Sequence, residues 1–538
     1  MAREAAVIGF FAALTVYATR PLAFAPRSQI LDGPDPSIYV WMVNWVSGHL
    51  LQPSQIFEGN IFHPVRHAAL LSDLAFVTAL LAAPLRPLLR DPVPLYNAGV
   101  LMTVTFGAWA FYRLVLALTG RVSAALLTGI LAAYGSYQLL HVYQLALANI
   151  AFLALFLLEL HRLVERPRHP ATILLTGAAF ALNALSSGYY AVAGAVLALL
   201  FAAVEWRRVG RRDVLAACAA AAAIALVLLL PYILAFASLQ KTEGVERGIE
   251  LSLDQNFRPE RDVTSATYLY RRWRGSRGER LFPGVACLAL AAYACARRVP
   301  GSAFYAASVP VMVCLSLGPT LELGDRSVPL PYGALFAMRP FNAMMHPHTF
   351  AAVARLGLCV LAGLGFARLA PRDSALATAA ALLIGLAEVA APPAVVRPIP
   401  PGVPDVYRAL ETLPPGATLE IPSEAWDPMI WAARHGRPVL NGASGLGPPE
   451  HARLQQWIQR DWLRPVGRDG APPAVDDTRA MRQLLRMPVD YVVVPAGREP
   501  WLRPLQDGFE RSRLFTRVAG TPGEDTMYRR VAFRDQGR

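Results

Sequence analysis

Long apolar runs follow one another along the chain as far as residue 391 and then stop. A helix that crosses the hydrocarbon core of a bilayer needs about 20 mostly apolar residues, and backbone at that depth must pair its own polar groups. These runs restrict the first part of the chain to a polytopic α-helical membrane bundle. The candidate spans are 5–22, 94–117, 122–140, 143–164, 171–187, 189–205, 213–236, 281–296, 301–318, 350–369 and 374–391, about eleven in all. Charged residues make up 17% of the chain, against about 25% in soluble domains. That deficit falls almost wholly before residue 391.

The net charge is +13. No nucleic-acid motif accompanies it, so nucleic acid is not an expected partner. Arginines collect instead between alternate pairs of spans: Arg121; Arg162, Arg166 and Arg168; Arg207, Arg208, Arg211 and Arg212; Arg297 and Arg298; Arg368 and Arg372. The positive-inside rule puts these loops and the N-terminus in the cytoplasm, and an odd number of spans then puts the C-terminus outside. Lys241 is the single lysine, a composition that fits a bacterial inner (cytoplasmic) membrane protein from a GC-rich genome. No small-residue cleavage site follows the first run, which reads as a retained anchor. The five cysteines sit in apolar segments without metal-ligand spacing and read as small core residues. Residues 68–89 are apolar enough to span, but a span there would invert every later arginine loop. They read as a helix lying in, or dipping into, the outer interface.

Three long segments then face outward, 23–93, 237–280 and 319–349. The first opens on an acidic Gly-Pro turn holding Asp32 and Asp35, followed by an aromatic amphipathic helix with Trp41 and Trp45 on one face. NIFHP (Asn60 to Pro64, with His63) and Ser72-Asp73 come next. Two readings of the acids stand: general bases or cation ligands at the membrane surface, or turn residues binding their own backbone amides. His141 and Gln144, then Ser186, Ser187, Tyr189 and Tyr190, then Asn342, His346 and His348, occupy other outward helix ends. They line a shared polar cavity or populate the interfacial belt. Arg258, Arg261, Arg271, Arg272, Arg274, Arg277 and Arg280 crowd the second segment. Such a cluster grips a lipid phosphate or anionic headgroups in general. No Walker or Rossmann glycine motif is present, so nucleotide-driven transport has no support.

With this organisation the chain resembles the GT-C superfamily of polyprenyl-phosphate-dependent membrane glycosyltransferases, within it an uncharacterised bacterial branch. The resemblance is carried by the turn and helix from Asp32 to Trp45, NIFHP, LLSDLAF, PLYN (94–97), LLHVYQL (139–145), ALSSGYY (184–190), GERLFPG (278–284) and PVLNGASG (438–445). It implies a GT-C-like bundle that moves a sugar, with inversion, from a polyprenyl-(di)phosphate donor to a glycan, lipid or protein acceptor at the outer face. Asp35 first and Asp32 second would be the catalytic base, Asp73 a further acid, and basic residues of later loops the donor's phosphate contacts. The chain departs from the family where arginines are expected before the tenth span and MMHPHTF stands instead. His346 and His348 would substitute there, neutral imidazole being the poorer anion ligand, with Arg339 or Arg355 to compensate. No metal ligand set is assigned; a divalent cation stays open. The alternative is a non-catalytic lipid- or glycan-binding or translocating protein on the same scaffold.

A proline-rich linker, 392–403, leads into residues 404–538, which read as a soluble extracytoplasmic α/β domain. TLEIP, RPVLNG and DYVVVP are expected strands, 404–412 and 450–463 helical, and 513–532 a hairpin. A reporter fused after Arg212 is expected to score cytoplasmic; an extracytoplasmic signal there would overturn the orientation.

Overall fold

A computed structural model describes residues 2–244, 281–323, 326–337, 347, 349–389, 394–422, 427–444, 446–469 and 472–531. Its bundle comprises α1 (Ala2–Ala18), the largely buried α2 (Pro36–His49), α3 (Phe76–Ala82), α4 (Pro92–Thr119), α5 (Val122–Tyr134) and α6 (Ala151–Glu165). It continues through α7 (Pro170–Ser186), α8 (Gly188–Val204), α9 (Arg212–Glu243), α10 (Val285–Ala296), α11 (Ser302–Ser316), α12 (Thr349–Leu369) and α13 (Ala375–Glu388). Five stretches are long and apolar enough to cross a membrane by length and composition: α4, Val122–Leu140, Leu145–Glu165, α9 and α12. Among the described residues six apolar helices of 10–17 residues accompany them, short for a full crossing of about 20. On α9, Leu226, Val227, Leu230 and Leu234 are exposed, and hydrocarbon covers such a face at no cost. The chain is a membrane protein.

Local chemistry sets the helix ends. Asp91 accepts a hydrogen bond from the Val93 amide at 2.8 Å, Pro92 supplies the first turn, and Gly120 ends α4 at φ +67. Close packing follows from small residues: a Cβ on Gly365 of α12 would collide with the Leu290 carbonyl of α10. Residues 68–89 are broken into Ala68–Leu71, α3 and Ala83–Leu85, none long enough to span. Ala68–Leu71 is buried, α3 packs against α2 and α4, and Leu80 and Leu88 are exposed.

Beyond the bundle, β5 (Thr418–Glu420), β6 (Tyr491–Pro495), β7 (Phe515–Ala519) and β8 (Asp525–Arg530) form a sheet in the order β5-β6-β8-β7. β5 and β6 are parallel and the other pairs antiparallel. RPVLNG contributes only a bridge, Thr418 to Val439. The Val439 amide is turned instead to the Asn60 carbonyl, at 2.7 Å.

This domain is woven into the bundle's connecting segments. β1 (Gln29–Leu31) pairs antiparallel with β4 (Val396–Pro398) of the proline-rich linker. A separate hairpin joins β2 (Thr320–Leu323) and β3 (Arg326–Pro329). Helix α14 (Asp427–His435) packs on α2, and Arg434 pairs with Asp91, the α4 cap, at 3.0 Å. Asn60 is the central latch. Its carboxamide accepts from Trp41 Nε1 at 2.7 Å and donates to the Ala432 and Arg437 carbonyls at 3.0 and 3.1 Å. The neighbouring Phe62 and His63 amides donate to the Asn441 and Val439 carbonyls at 3.1 and 3.0 Å. Asn60→Leu orphans these buried partners and is expected to cost about 3 kcal/mol. Thermal unfolding and protease sensitivity of the detergent-solubilised protein check this.

Candidate functional site

The acidic turn ends β1 and starts α2, and the fold holds it from both sides. The Asp32 amide donates to the Val395 carbonyl at 2.9 Å, so the turn leaves the sheet with its backbone tied to the linker. Gly33 has φ +145, and a Cβ there would sit 2.8 Å from the Tyr143 ring. Glycine is required by both conformation and space. Pro36 occupies the first turn of α2, and the Asp35 carbonyl accepts from the Ile38 and Tyr39 amides at 3.1 and 3.2 Å.

Asp35 stands at the helix cap position, yet its side chain makes no capping hydrogen bond. The carboxylate turns away and accepts from Gln144 Nε2 at 2.9 Å, its one hydrogen bond among the described residues. Burial raises its pKa above the ordinary aspartate value, and the Gln144 bond offsets part of that rise. The turn-amide reading thus fails for Asp35. Asp32 is exposed.

Gln144 reaches Asp35 because the apolar stretch 122–165 is not continuously helical. After Tyr134 the chain breaks at Gly135, makes the short helices Ser136–Leu140 and Leu145–Ala148, and resumes as α6. The break coincides with Arg355 of α12, whose guanidinium passes so close to Gly135 that a Cβ could not fit. Arg355 donates to the Leu131 and Ala132 carbonyls at 3.0 and 3.3 Å, satisfying the end of α5. It is 2% exposed and makes no ion pair among the described residues. His141 stacks on Tyr137, ring centroids 4.1 Å apart, and its Nδ1–H donates to the Tyr137 carbonyl at 2.9 Å.

Asp73 accepts from the Gly188 amide at 3.2 Å, at the start of α8. Burial, then the charges of Asp73 and Asp35, push the Tyr39 phenol well above its usual range. One buried tyrosine therefore lies within the field of both carboxylates. Asp35, Asp73, His141 and Gln144 belong to one end of the bundle. Tyr190 is fully buried and donates to the Leu147 carbonyl at 2.6 Å, so it braces the broken segment, while Tyr189 is partly exposed. His63 lies elsewhere, on the domain seam, its carbonyl accepting from His451 Nε2 at 3.1 Å. Arg271, Arg272, Arg339, His346 and His348 lie outside the described residues. Among those described, no group of three or more His, Cys, Asp or Glu side chains could hold a metal ion.

Several residues beside the turn carry no motif in the sequence. Ser37 donates to Asp427 at 3.1 Å and accepts from Arg397 at 2.8 Å; Arg397 and Asp427 pair at 2.6 Å. Glu420, held by Arg498 at 2.6 Å and by the Tyr407 hydroxyl at 2.6 Å, lines with them a cavity of about 410 Å³ that Gly33 and Pro34 also border. Only long-range contacts reveal this assembly, since its members come from four separate stretches of chain.

No protein-family model matches the chain, and no curated protein does. Solved structures do. Arabinofuranosyltransferase AftD from Mycobacteria matches with a TM-score of 0.56 at 14% identity, covering 98% of this chain and 40% of that one. A mutant of the same enzyme matches with a TM-score of 0.54 at 15% identity, covering 98% and 41%. The oligosaccharyltransferase of Archaeoglobus fulgidus is more distant, with a TM-score of 0.47 at 14% identity, covering 99% and 75%. The chain therefore shares the fold of AftD, and it spans about 40% of that enzyme's length. Gly33→Ala is expected to lower stability by about 1–3 kcal/mol through backbone strain, whereas Asp35→Asn leaves it nearly unchanged. Paired thermal melts check the difference.

Proposed function

We propose that the protein is a glycosyltransferase that moves a sugar from a polyprenyl-(di)phosphate donor to an acceptor hydroxyl at the outer face of the membrane. The observation carrying this reading is the uncapped, partly buried Asp35 carboxylate on a GT-C fold. A carboxylate that binds no backbone amide and is a stronger base than usual suits proton abstraction.

In the proposed step the acceptor hydroxyl oxygen attacks the anomeric carbon as the carbon–oxygen bond to phosphate breaks. The hydroxyl proton passes to Asp35, the electron pair leaves with the polyprenyl (di)phosphate, and the anomeric configuration inverts. The donor carries its own activated leaving group, so no nucleotide site is needed. Gln144 orients the Asp35 carboxylate, while Asp73, fixed by the start of α8, is a secondary acid. Arg271, Arg272, Arg339, His346 and His348 are proposed donor contacts on sequence grounds. Residues 404–538 are proposed to stand outside the membrane, with the N-terminus inside.

Asp35→Ala is expected to reduce transfer about a hundred-fold or more, measured with labelled polyprenyl-phosphate sugars and membranes containing the protein. Undiminished transfer sinks the assigned role. The base works deprotonated, so activity falls as pH drops through its raised pKa, above the ordinary aspartate range. Removing the donor bond with Gln144→Leu is expected to move this acid limb to still higher pH.

A further inference from the structure

We propose that the cavity between the acidic turn and the C-terminal domain binds a neutral sugar residue, the one that offers the acceptor hydroxyl. This rests on the transferase reading and adds the acceptor's chemical class.

The cavity, about 410 Å³ in volume, lies within the range of about 300–1,000 Å³ common for small-ligand sites. Gly33, Pro34 and Ser37, which flank Asp35 in sequence, belong to the lining, so a ligand there lies beside the acidic turn. The same lining presents Glu420, Asp427 and Glu499 with two guanidinium groups, Arg397 and Arg498. Both guanidiniums are already committed. Arg397 grips Asp427 through two nitrogens, at 2.6 and 3.5 Å. Arg498 reaches both Glu420 oxygens, at 2.6 and 3.3 Å, and also pairs with Asp525.

The charge of each guanidinium is met by carboxylates, so the lining adds chiefly the spare lone pairs of those carboxylates, beside the few N–H groups the ion pairs leave over. Among the described residues the lining carries one more negative charge than positive. A phosphate or an acidic sugar entering would meet like charge and arginines already neutralised by carboxylates. A polyol meets acceptors matched to its hydroxyl donors, on carboxylates kept rigid by their ion pairs. The cavity thus selects against the anionic donor and for a neutral, hydroxyl-rich acceptor. Fixed placement of the acceptor beside the turn that carries the base lowers the barrier through orientation.

Detergent-solubilised full-length protein is titrated with methyl glycosides of neutral pentoses and hexoses, and with the matching sugar 1-phosphates, by saturation-transfer NMR. At least one neutral glycoside is expected to bind and the phosphates to bind at least ten-fold more weakly. Glu499→Trp, which puts an indole into the lining from a position outside the ion-pair network, and Asp427→Asn are each expected to weaken neutral binding at least ten-fold. Asp35→Asn is expected to leave it intact. No glycoside binding, equal binding of the phosphates, or binding indifferent to Glu499→Trp overturns the proposal. Transfer activity separates the two readings. A transferase whose acceptor KM ignores Glu499→Trp refutes the cavity and spares the reaction. Cavity binding without transfer from any polyprenyl-phosphate sugar refutes the reaction and spares the cavity.

Discussion

Irregular backbone beside a bilayer must find partners for its amides and carbonyls, because the hydrocarbon offers none. Residues 23–91 are short helices joined by irregular backbone, with no helix long enough to span, and the fold meets this demand by borrowing from distant chain. The linker strand β4 pairs with β1, the Ser28 carbonyl accepts from the Ile399 amide at 2.8 Å, and Asn97 of α4 donates to the Pro26 and Gln29 carbonyls at 2.8 and 2.7 Å. Further on, Asn60, Phe62 and His63 exchange backbone bonds with Val439 and Asn441. The segment and the C-terminal domain are therefore ordered together.

That mutual bracing is what leaves Asp35 free. An aspartate at a helix start ordinarily caps it, which stabilises by about 1 kcal/mol and, near the positive helix end, holds the carboxylate's pKa down. Here the β1–β4 pairing before the turn and the Ser37–Arg397–Asp427 contacts after it fix the backbone, so the cap is dispensable. The carboxylate turns to Gln144 in a half-buried site where desolvation outweighs a single neutral hydrogen bond, and its pKa rises. A small local loss of helix stability thus yields a stronger base, and the bundle–domain seam supplies the stability that the cap does not.

The parts of this arrangement that rest on local pattern were legible in the sequence. Apolar runs mark the helices, and the Trp41–Trp45 spacing marks one face of α2, where the two rings stack with centroids 5.7 Å apart. DYVVVP reads as a strand by its β-branched content and lies between β5 and β8 in the sheet. What was not legible depends on partners far away in sequence. The break at Gly135 hides inside an apolar stretch because Leu139, Leu145 and Leu147 suit a span as well as a fold-back. Only the docking of Arg355 decides between them. NIFHP stands out as a motif, but its asparagine and backbone serve the seam, and nothing in five residues distinguishes that from ligand binding. RPVLNG has strand composition, yet the Asn60 carbonyl competes for its amide and reduces it to a bridge.

The same long-range placement sets an electrostatic difference across Asp35. On the bundle side, Arg355 lies buried behind the segment that presents His141 and Gln144, its charge met by carbonyl dipoles and by no carboxylate among the described residues. A guanidinium in such a place is costly unless a negative group shares its field for part of the working cycle. On the domain side, the described cavity lining holds more carboxylates than guanidiniums, and each guanidinium is paired with a carboxylate. On the proposed reading, a gradient of this sign would draw an anionic lipid phosphate toward the bundle and leave a neutral polyol free to settle against the domain. On the proposed chemistry the two substrates would then be sorted to opposite sides of the base before either is bound specifically. In-line displacement at an anomeric carbon demands that arrangement, with nucleophile and leaving group on opposite faces of the sugar.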